Sequence, residues 1–333
     1  MRSSVQIWIL LHRKSLDAST PRRHSLVITF KSFQINSRKF VDRSRCLRTE
    51  EIDNLANILK LSDYIDIADI GAAYINQKPL YEDLVMKSSM TNLHLFDGDK
   101  RQILALKNRY GEKAHIYDVF LGDGKEHKLY VCEPASGMTS LLKPNERVLN
   151  FFNGFKKFGS VLHTESVSTI KLDDLSDIKN IDFLKLDIQG SEKTVIEHGL
   201  RKLDNCVAIQ LEVSFIPLYE NQPTIGEVDT FMREIGFVPH GFTELKRWSI
   251  APTVRDNNFR KPFNQLLEAD VLYIRNPFNS ALDNERRLKT LAFLSHCLFG
   301  SPDLTVHAML RLVDKGAIEN GAVENYFKIF SAP

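Results

Sequence analysis

Three short apolar runs in this 333-residue chain end in a carboxylate and then turn at once. The first, YIDIADI, closes on Asp69-Ile70-Gly71-Ala72-Ala73. The second, NLHLF, closes on Asp97-Gly98-Asp99, and the third, IDFLKL, on Asp187-Ile188-Gln189-Gly190-Ser191-Glu192. A fourth run, CVAIQLEV, carries Glu212 near its end. A carboxylate at a strand tip can accept the hydroxyl protons of a ribose or take the proton of a reacting hydroxyl. A glycine beside it lets the backbone turn tightly and come close to a ligand. Asp97 lies about 25 residues beyond Gly71, the interval at which a ribose-binding acid follows a glycine turn. The expected cofactor-binding set is therefore Asp69, Gly71, Ala72, Asp97 and Asp99. The same acids also fit a plainer reading, in which Asp97 or Asp99 caps the helix that follows.

The spacing of glycines narrows the cofactor. After Gly71 the next glycine is Gly98, so the G-x-G-x-x-G cradle for a pyrophosphate is missing. This counts against an NAD-binding dehydrogenase and favours an adenosine cofactor without phosphates, a description that S-adenosylmethionine fits.

For the acidic tips to meet, the runs that carry them must be neighbours in one sheet. Candidate strands fall at 64–70, 92–96, 114–120, 181–187, 206–213, 237–242 and 269–275. Helical patterns at 79–90, 99–109, 191–200 and 224–235 separate most of them, and another precedes them at 50–61. Alternation of this kind predicts an α/β fold with a mostly parallel, doubly wound sheet, and ligands in such sheets sit beyond the carboxyl ends of the strands. After Pro277 come three helical patterns: 283–298, one from Ser301-Pro302-Asp303 to about 315, and 321–330. They predict a small C-terminal annex that packs on the sheet domain or on a second copy of the chain.

Charge is uneven along the chain. Residues 1–45 hold ten Lys and Arg against Asp17 and Asp42, whereas the rest holds 34 basic and 40 acidic residues. The body is mildly acidic, which argues against coating a nucleic acid. The first 45 residues read as a basic, disordered leader, with a targeting segment or a misplaced start codon as alternatives. No apolar run reaches the roughly 18 residues of a membrane span. The four cysteines are far apart, as expected of reduced thiols in a cytosol, and the expected location is cytoplasmic. His163, His198 and His240 match no metal spacing, and no metal site is expected. The Phe151-Phe152 pair reads as core or lid packing.

Several ordered motifs resemble one family. Lys185-Leu-Asp187-Ile-Gln189-Gly190-Ser191-Glu192 is similar to the K-x-D-x-[EQ]-G-x-E hallmark of the FkbM family of S-adenosylmethionine-dependent methyltransferases. Asp69-Ile-Gly-Ala resembles its first motif, and Phe96-Asp97-Gly-Asp99 its F-[ED]-x-[DN]. Ser168-Thr-Ile-Lys-Leu-Asp173-Asp174-Leu, Glu212-Val-Ser-Phe-Ile-Pro-Leu-Tyr219 and Glu268-Ala-Asp270-Val-Leu-Tyr resemble later elements, and Ser140 falls in a serine-rich one. The likeness spans roughly 50–276. One departure is plain: where family members commonly carry Gly-Ala-Asn-x-Gly, this chain has Gly71-Ala72-Ala73-Tyr74-Ile75, which suggests a longer alternative loop over 72–78.

The resemblance implies a Rossmann-like class I methyltransferase sheet whose last strand is antiparallel. It also implies S-adenosylmethionine as cofactor and a hydroxyl of a sugar, glycan or natural product as acceptor. On this reading Asp187 is the base or acceptor-positioning group, Glu212 binds the acceptor, and Glu192 is a third candidate catalytic acid. The domains would be a leader at 1–45, a methyltransferase domain at 46–276 and a helical extension at 277–333. Two other readings are a nucleotide-sugar or NAD-binding oxidoreductase and a non-catalytic scaffold. No nucleic acid or membrane partner is expected, and the terminal helices are the expected surface for a homo-oligomer.

Overall fold

Glycine, proline and acidic residues punctuate the apolar runs, and the chain folds accordingly into alternating strands and helices. The structure, a computed structural model, describes residues 4–14, 26–36, 47–73, 78–133 and 136–331. The first elements are β1 (Ser4–Lys14), β2 (Leu26–Asn36), α1 (Thr49–Ile58), β3 (Ile65–Ile70), α2 (Glu82–Lys87) and β4 (Thr91–Asp97). Then come α3 (Lys100–Tyr110), β5 (Ala114–Asp118), β6 (Phe120–Leu121), β7 (Glu126–Cys132), α4 (Glu146–Leu149), α5 (Phe155–Phe158) and β8 (Val161–Ile170). The chain continues through β9 (Phe183–Leu186), α6 (Glu192–Glu197), β10 (Ala208–Ser214), α7 (Ile225–Glu234), β11 (Phe237–Arg247) and β12 (Leu266–Arg275). It ends with α8 (Glu285–Leu294), α9 (Pro302–Asp314) and α10 (Ala322–Ser331).

Seven strands form one sheet in the order β11-β12-β10-β9-β3-β4-β5. The pairs β10/β9, β9/β3, β3/β4 and β4/β5 are parallel, and β12 runs antiparallel to both β10 and β11. The mostly parallel sheet with an antiparallel last strand is thus as expected. The chain winds outward from β3 through β4 to β5 and then crosses back to β9, so the order reverses between β3 and β9. Crevices open at such a reversal, beyond the carboxyl ends of the strands.

The two faces of this sheet differ in chemistry. Ala68, Ile70, Leu184, Leu186, Ile209, Leu211 and Val213 point into one apolar core, closed by Val195 and Ile196 of α6 and Val228 and Met232 of α7. Residues one position away alternate to the other face and place Asp69, Lys185, Gln210 and Glu212 there. Asp69 stands beside Lys185, and Lys185 beside Gln210, in the strand register. A polar layer inside a folded domain needs its groups paired; Asp69 bonds Lys185, Glu212 bonds Lys246, and Gln210 Nε2 lies 3.2 Å from both Thr243 Oγ1 and Asp270 Oδ2, while its Oε1 is buried without a partner.

Where the structure departs from the sequence pattern, local reasons are visible. The pattern at 79–90 yields a helix only over Glu82–Lys87, because Ser88 leaves the helical region. β7 and β8 pair antiparallel between β5 and β9 and were not anticipated. Most of β8 is exposed, so it lacks the apolar alternation that marks a strand. In the segment expected to be a disordered leader, β1 and β2 pair antiparallel along their whole length. Val5, Ile7, Ile9 and Leu11 alternate there as a strand requires, and the expectation of disorder is corrected to that extent. The other leader residues, including any targeting signal they hold, lie outside the described residues, as do 74–77 of the expected loop.

The chain divides into two compact units, Ser62–Thr290 and Met1–Leu61 with Leu291–Pro333. The first is the sheet unit. The second contains α1 together with α9 and α10, so the helix expected to open the methyltransferase domain belongs with the C-terminal helices instead. Its apolar faces are buried, among them Ile52, Leu55, Met309, Leu312 and Tyr326. Among the described residues, no helix is long and apolar enough to cross a membrane.

Candidate active site

The backbone of three strand tips is knitted together first. Gly71 and Ala72 both donate their N–H to the Phe96 carbonyl, at 3.0 and 3.1 Å, and Asp187 donates its N–H to the Ile70 carbonyl at 3.0 Å. Gly71 has φ +78, and a Cβ there would sit 2.0 Å from the Asp187 carbonyl oxygen. Only glycine allows this approach, which brings the loop after β3 onto the loop after β9.

Asp69 is 1% exposed, and neither oxygen is idle. Tyr81 donates its hydroxyl to Oδ2 at 2.6 Å, and Lys185 Nζ donates to Oδ1 at 3.0 Å. Burial opposes charge on Lys185, but Asp69 and Asp187 outweigh it and hold the ammonium protonated. Asp69 therefore fastens β3 to β9 and to the segment before α2.

Asp97 and Asp99 lie two residues apart and divide the two readings of this motif between them. Asp99 caps α3, accepting from Arg101 N at 2.9 Å, and its carboxylate is forked with the Arg101 guanidinium. That pairing holds its pKa below the usual carboxylate range. Asp97 accepts the Asp99 N–H through Oδ1 at 2.8 Å and has no cationic partner among the described residues. Burial pushes its pKa up to about 6, against the lowering effect of backbone N–H groups of Asp99 and Ala73. Gly71 and Ala72 of the first motif thus lie beside the β4 tip, whose Asp97 carries a partly desolvated carboxylate.

The loop after β9 carries the second half of the site. Gln189 holds φ +59, a strained region for a residue with a Cβ. Its Nε2 donates to Asp187 Oδ1 at 2.9 Å and lies 3.2 Å from Glu212 Oε2. The Tyr219 hydroxyl lies 3.0 Å from its Oε1, and Ser140 Oγ donates to its backbone carbonyl at 2.7 Å. One side-chain amide therefore spans Asp187 and Glu212 and is fixed from below by a tyrosine and a serine. Glu212 is 7% exposed and also accepts from Lys246 Nζ at 3.0 Å, while the same ammonium bonds Glu268 Oε1 at 2.7 Å. Burial raises the Glu212 pKa first, with Glu268 and Asp187 adding repulsion. Burial would lower that of Lys246, but its two carboxylates hold it protonated. One ammonium thus faces two acids, and burial favours the protonated form of the deeper one, Glu212.

Glu192 lies at the helix start that its place in the sequence indicates. It is the first residue of α6, and its carboxylate turns back on its own loop to accept from Ile188 N at 3.0 Å and Gly190 N at 3.0 and 3.1 Å. Burial lifts its pKa to about 7 in spite of these N–H groups. Its oxygens are spent on shaping the 188–190 turn, because a helix N-terminus and a tight glycine loop both offer it unpaired donors. The structure thus joins Asp69, Gly71, Ala72, Asp97, Asp187 and Glu212 at one edge, with Asp99 and Glu192 as local anchors.

Sequence reasoning did not single out Lys185, Gln189, Lys246 or Tyr219. Lys185 and Gln189 stand inside the hallmark itself, a usable signal. Lys246 and Tyr219 reach the site only through strand pairing and a loop, which no local spacing reveals. Among the described residues, no group of three or more His, Cys, Asp or Glu is arranged to hold a metal ion.

No curated protein matches this chain. Solved structures that resemble it include a putative methyltransferase from Thermoplasma acidophilum, at 10% identity, covering 65% of this chain and 70% of that one, with a TM-score of 0.31. Another is precorrin-6y C5,15-methyltransferase from Geobacter metallireducens, at 12% identity, 72% and 94% coverage and TM-score 0.32. A third is magnesium protoporphyrin IX methyltransferase from Synechocystis with bound S-adenosylmethionine, at 9% identity, 68% and 79% coverage and TM-score 0.31. Scores this low carry no assignment. The family model does: the methyltransferase FkbM domain matches residues 69–239, just over half of the chain and the stretch that holds both halves of the site except Lys246 and Glu268. The chain therefore belongs to the FkbM family of S-adenosylmethionine-dependent methyltransferases.

Proposed function

We propose that this methyltransferase acts on a hydroxyl oxygen of a sugar, glycan or natural-product acceptor, with Asp97 gripping the cofactor ribose and Asp187 serving the acceptor. The observation that carries the reading is the Gln189 amide, which holds the Asp187 and Glu212 carboxylates together at the strand edge where Gly71 meets the Asp187 backbone. Two acids so placed suit an acceptor that must lose a proton.

When bound, S-adenosylmethionine supplies an electrophilic methyl group. The chain's own part is alignment and proton handling. Asp97 accepts the ribose hydroxyls, and the turn at Gly71 and Ala72 presents backbone beside them. Asp187, kept in one orientation by Gln189, takes the proton of the acceptor hydroxyl, a contribution of roughly 10²–10⁴-fold. Glu212, neutral or paired with Lys246, holds the acceptor by a second hydrogen bond. Asp69 and Lys185 keep the β3 and β9 tips in register, and much of the rate comes from this fixed geometry.

Isothermal calorimetry with S-adenosylhomocysteine tests the reading. The full-length chain binds it, and Asp97→Ala weakens binding about 10- to 100-fold, as loss of a hydrogen bond to a charged group should. Tight binding of NADH with no binding of S-adenosylhomocysteine would overturn it.

A further inference from the structure

The acceptor side of the site continues into a lobe whose surface has its own chemistry. Lys246, bonded to Glu212, is followed directly by Arg247 and Trp248 at the end of β11. Trp248 donates Nε1–H to the Asn153 carbonyl at 2.7 Å and meets Phe155 edge-on with ring centroids 5.0 Å apart. Phe152 and Phe155 share a buried cluster with Tyr219, the residue that holds Gln189. The segment after Trp248 is pinned to the same place: Ala251 N donates to the Phe151 carbonyl at 2.8 Å, and Ser249 Oγ to the Lys261 carbonyl at 2.6 Å.

What this lobe exposes is aromatic and cationic. Residues 151–158 and 247–263 hold six basic residues against a single acid, Asp256, in a body where acids outnumber bases. Phe151, Phe259 and Phe263 are 39–45% exposed. The Arg260 guanidinium lies over both Phe158 and Phe259, at 5.7 and 5.6 Å, and Arg255 over Phe263 at 5.6 Å. A guanidinium stacked on rings, as Arg260 is, keeps its N–H edge for an anion and loses little freedom on binding it, whereas Arg255 already bonds the Pro262 carbonyl and faces Asp256. Among the described residues, Lys156, Lys157 and Arg260 have no carboxylate at ion-pair distance. Exposed apolar rings mark a binding surface, and the C–H face of a sugar ring is a polar ligand surface that stacks on them.

We infer that this lobe holds an anionic saccharide, the acidic sugars of the acceptor lying on the exposed phenylalanines with their acidic groups at Lys156, Lys157 and Arg260. The inference rests on the methyltransferase reading above and narrows its acceptor to a carboxylated or otherwise acidic glycan. A nucleic acid is disfavoured because the positive patch is confined to one lobe and the strand edge beside it is acidic.

The test uses the full-length protein, a fluorescently labelled heptamer of galacturonic acid, neutral maltoheptaose as competitor, a twelve-nucleotide single strand and phosphatidylglycerol vesicles. The acidic heptamer binds at least tenfold more tightly than maltoheptaose, and the exposed triple variant Lys156→Glu, Lys157→Glu, Arg260→Glu loses at least tenfold, with S-adenosylhomocysteine affinity unchanged. Equal binding of acidic and neutral sugars, an unaffected triple variant, or tighter capture of the oligonucleotide or the vesicles overturns the inference. Absence of S-adenosylhomocysteine binding in the parent protein would strike the methyltransferase reading instead, whatever the saccharide does.

Discussion

Strand β9 carries an acid at each end, and the two have opposite surroundings. Asp182, just before the strand, is completely buried and fully matched: Arg286 grips it with two bonds, 2.6 and 2.9 Å, and Asp66 N donates to it at 2.9 Å. Asp187, just after the strand, is partly exposed and receives one side-chain amide from Gln189 at 2.9 Å. The neighbours repeat the pattern. At the carboxyl edge, Asp97 has no cation beside it among the described residues, and Glu212 shares one ammonium with Glu268. Both oxygens of Asp182 are bonded where it holds the fold together, although burial still raises its pKa, whereas the acids at the carboxyl edge are less fully partnered, and the same strand positions both.

Substitutions at the two ends should separate these roles. The largest effect falls at Asp187→Asn, which is expected to lower turnover roughly 10²–10⁴-fold while S-adenosylhomocysteine affinity and the urea midpoint stay at parental values. Steady-state methyl transfer from labelled S-adenosylmethionine reads this directly. Arg286→Ala does the reverse. It leaves Asp182 buried without its partner, at a cost of about 3–5 kcal/mol, seen as a lower urea midpoint. A midpoint within about 0.5 kcal/mol of the parent would show that the amino end bears no such load.

The pH dependence sharpens the contrast further. Burial raises the Asp97 pKa to about 6 from its ordinary 3.8. The folded chain therefore holds that proton more tightly than the unfolded one, and the stability this confers at low pH is lost as pH rises through about 6. If Asp97 grips the ribose as proposed, binding needs the ionised form, so S-adenosylhomocysteine affinity should be flat above pH 7 and fall about tenfold per unit below 6. In Asp97→Asn that fall disappears. The smallest effect belongs to Asp99→Ala, which removes the α3 cap for about 1 kcal/mol and changes cofactor affinity less than threefold.

Much of the sheet was legible in the sequence, because its strands are apolar runs cut off by acids and glycines. The runs ending at Asp69, Asp97 and Asp187 all became neighbouring strands. What could not be read has a physical reason in each case. Lys185 and Asp69 are 116 positions apart, and Arg286 and Asp182 are 104 apart, so their pairing exists only after the sheet has closed. Glu192 looked like a third site acid, since sequence places it at a helix start but cannot show its side chain folding back on Gly190. Strand β8 escaped notice because its residues are mostly exposed and mostly polar. The acidic edge was legible because its residues are local to the strand ends; of the groups that tune it, Lys185 and Gln189 stand inside the hallmark motif, whereas Lys246 and Tyr219 could not be read.

Hydrogen–deuterium exchange of the full-length chain with and without S-adenosylhomocysteine tests the central claim most directly. The account predicts ligand protection at the loops after β3, β4 and β9, around Gly71, Asp97 and Gln189, with the Asp182–Arg286 end unaffected. Protection confined to that opposite end, or elsewhere on the surface, would contradict it.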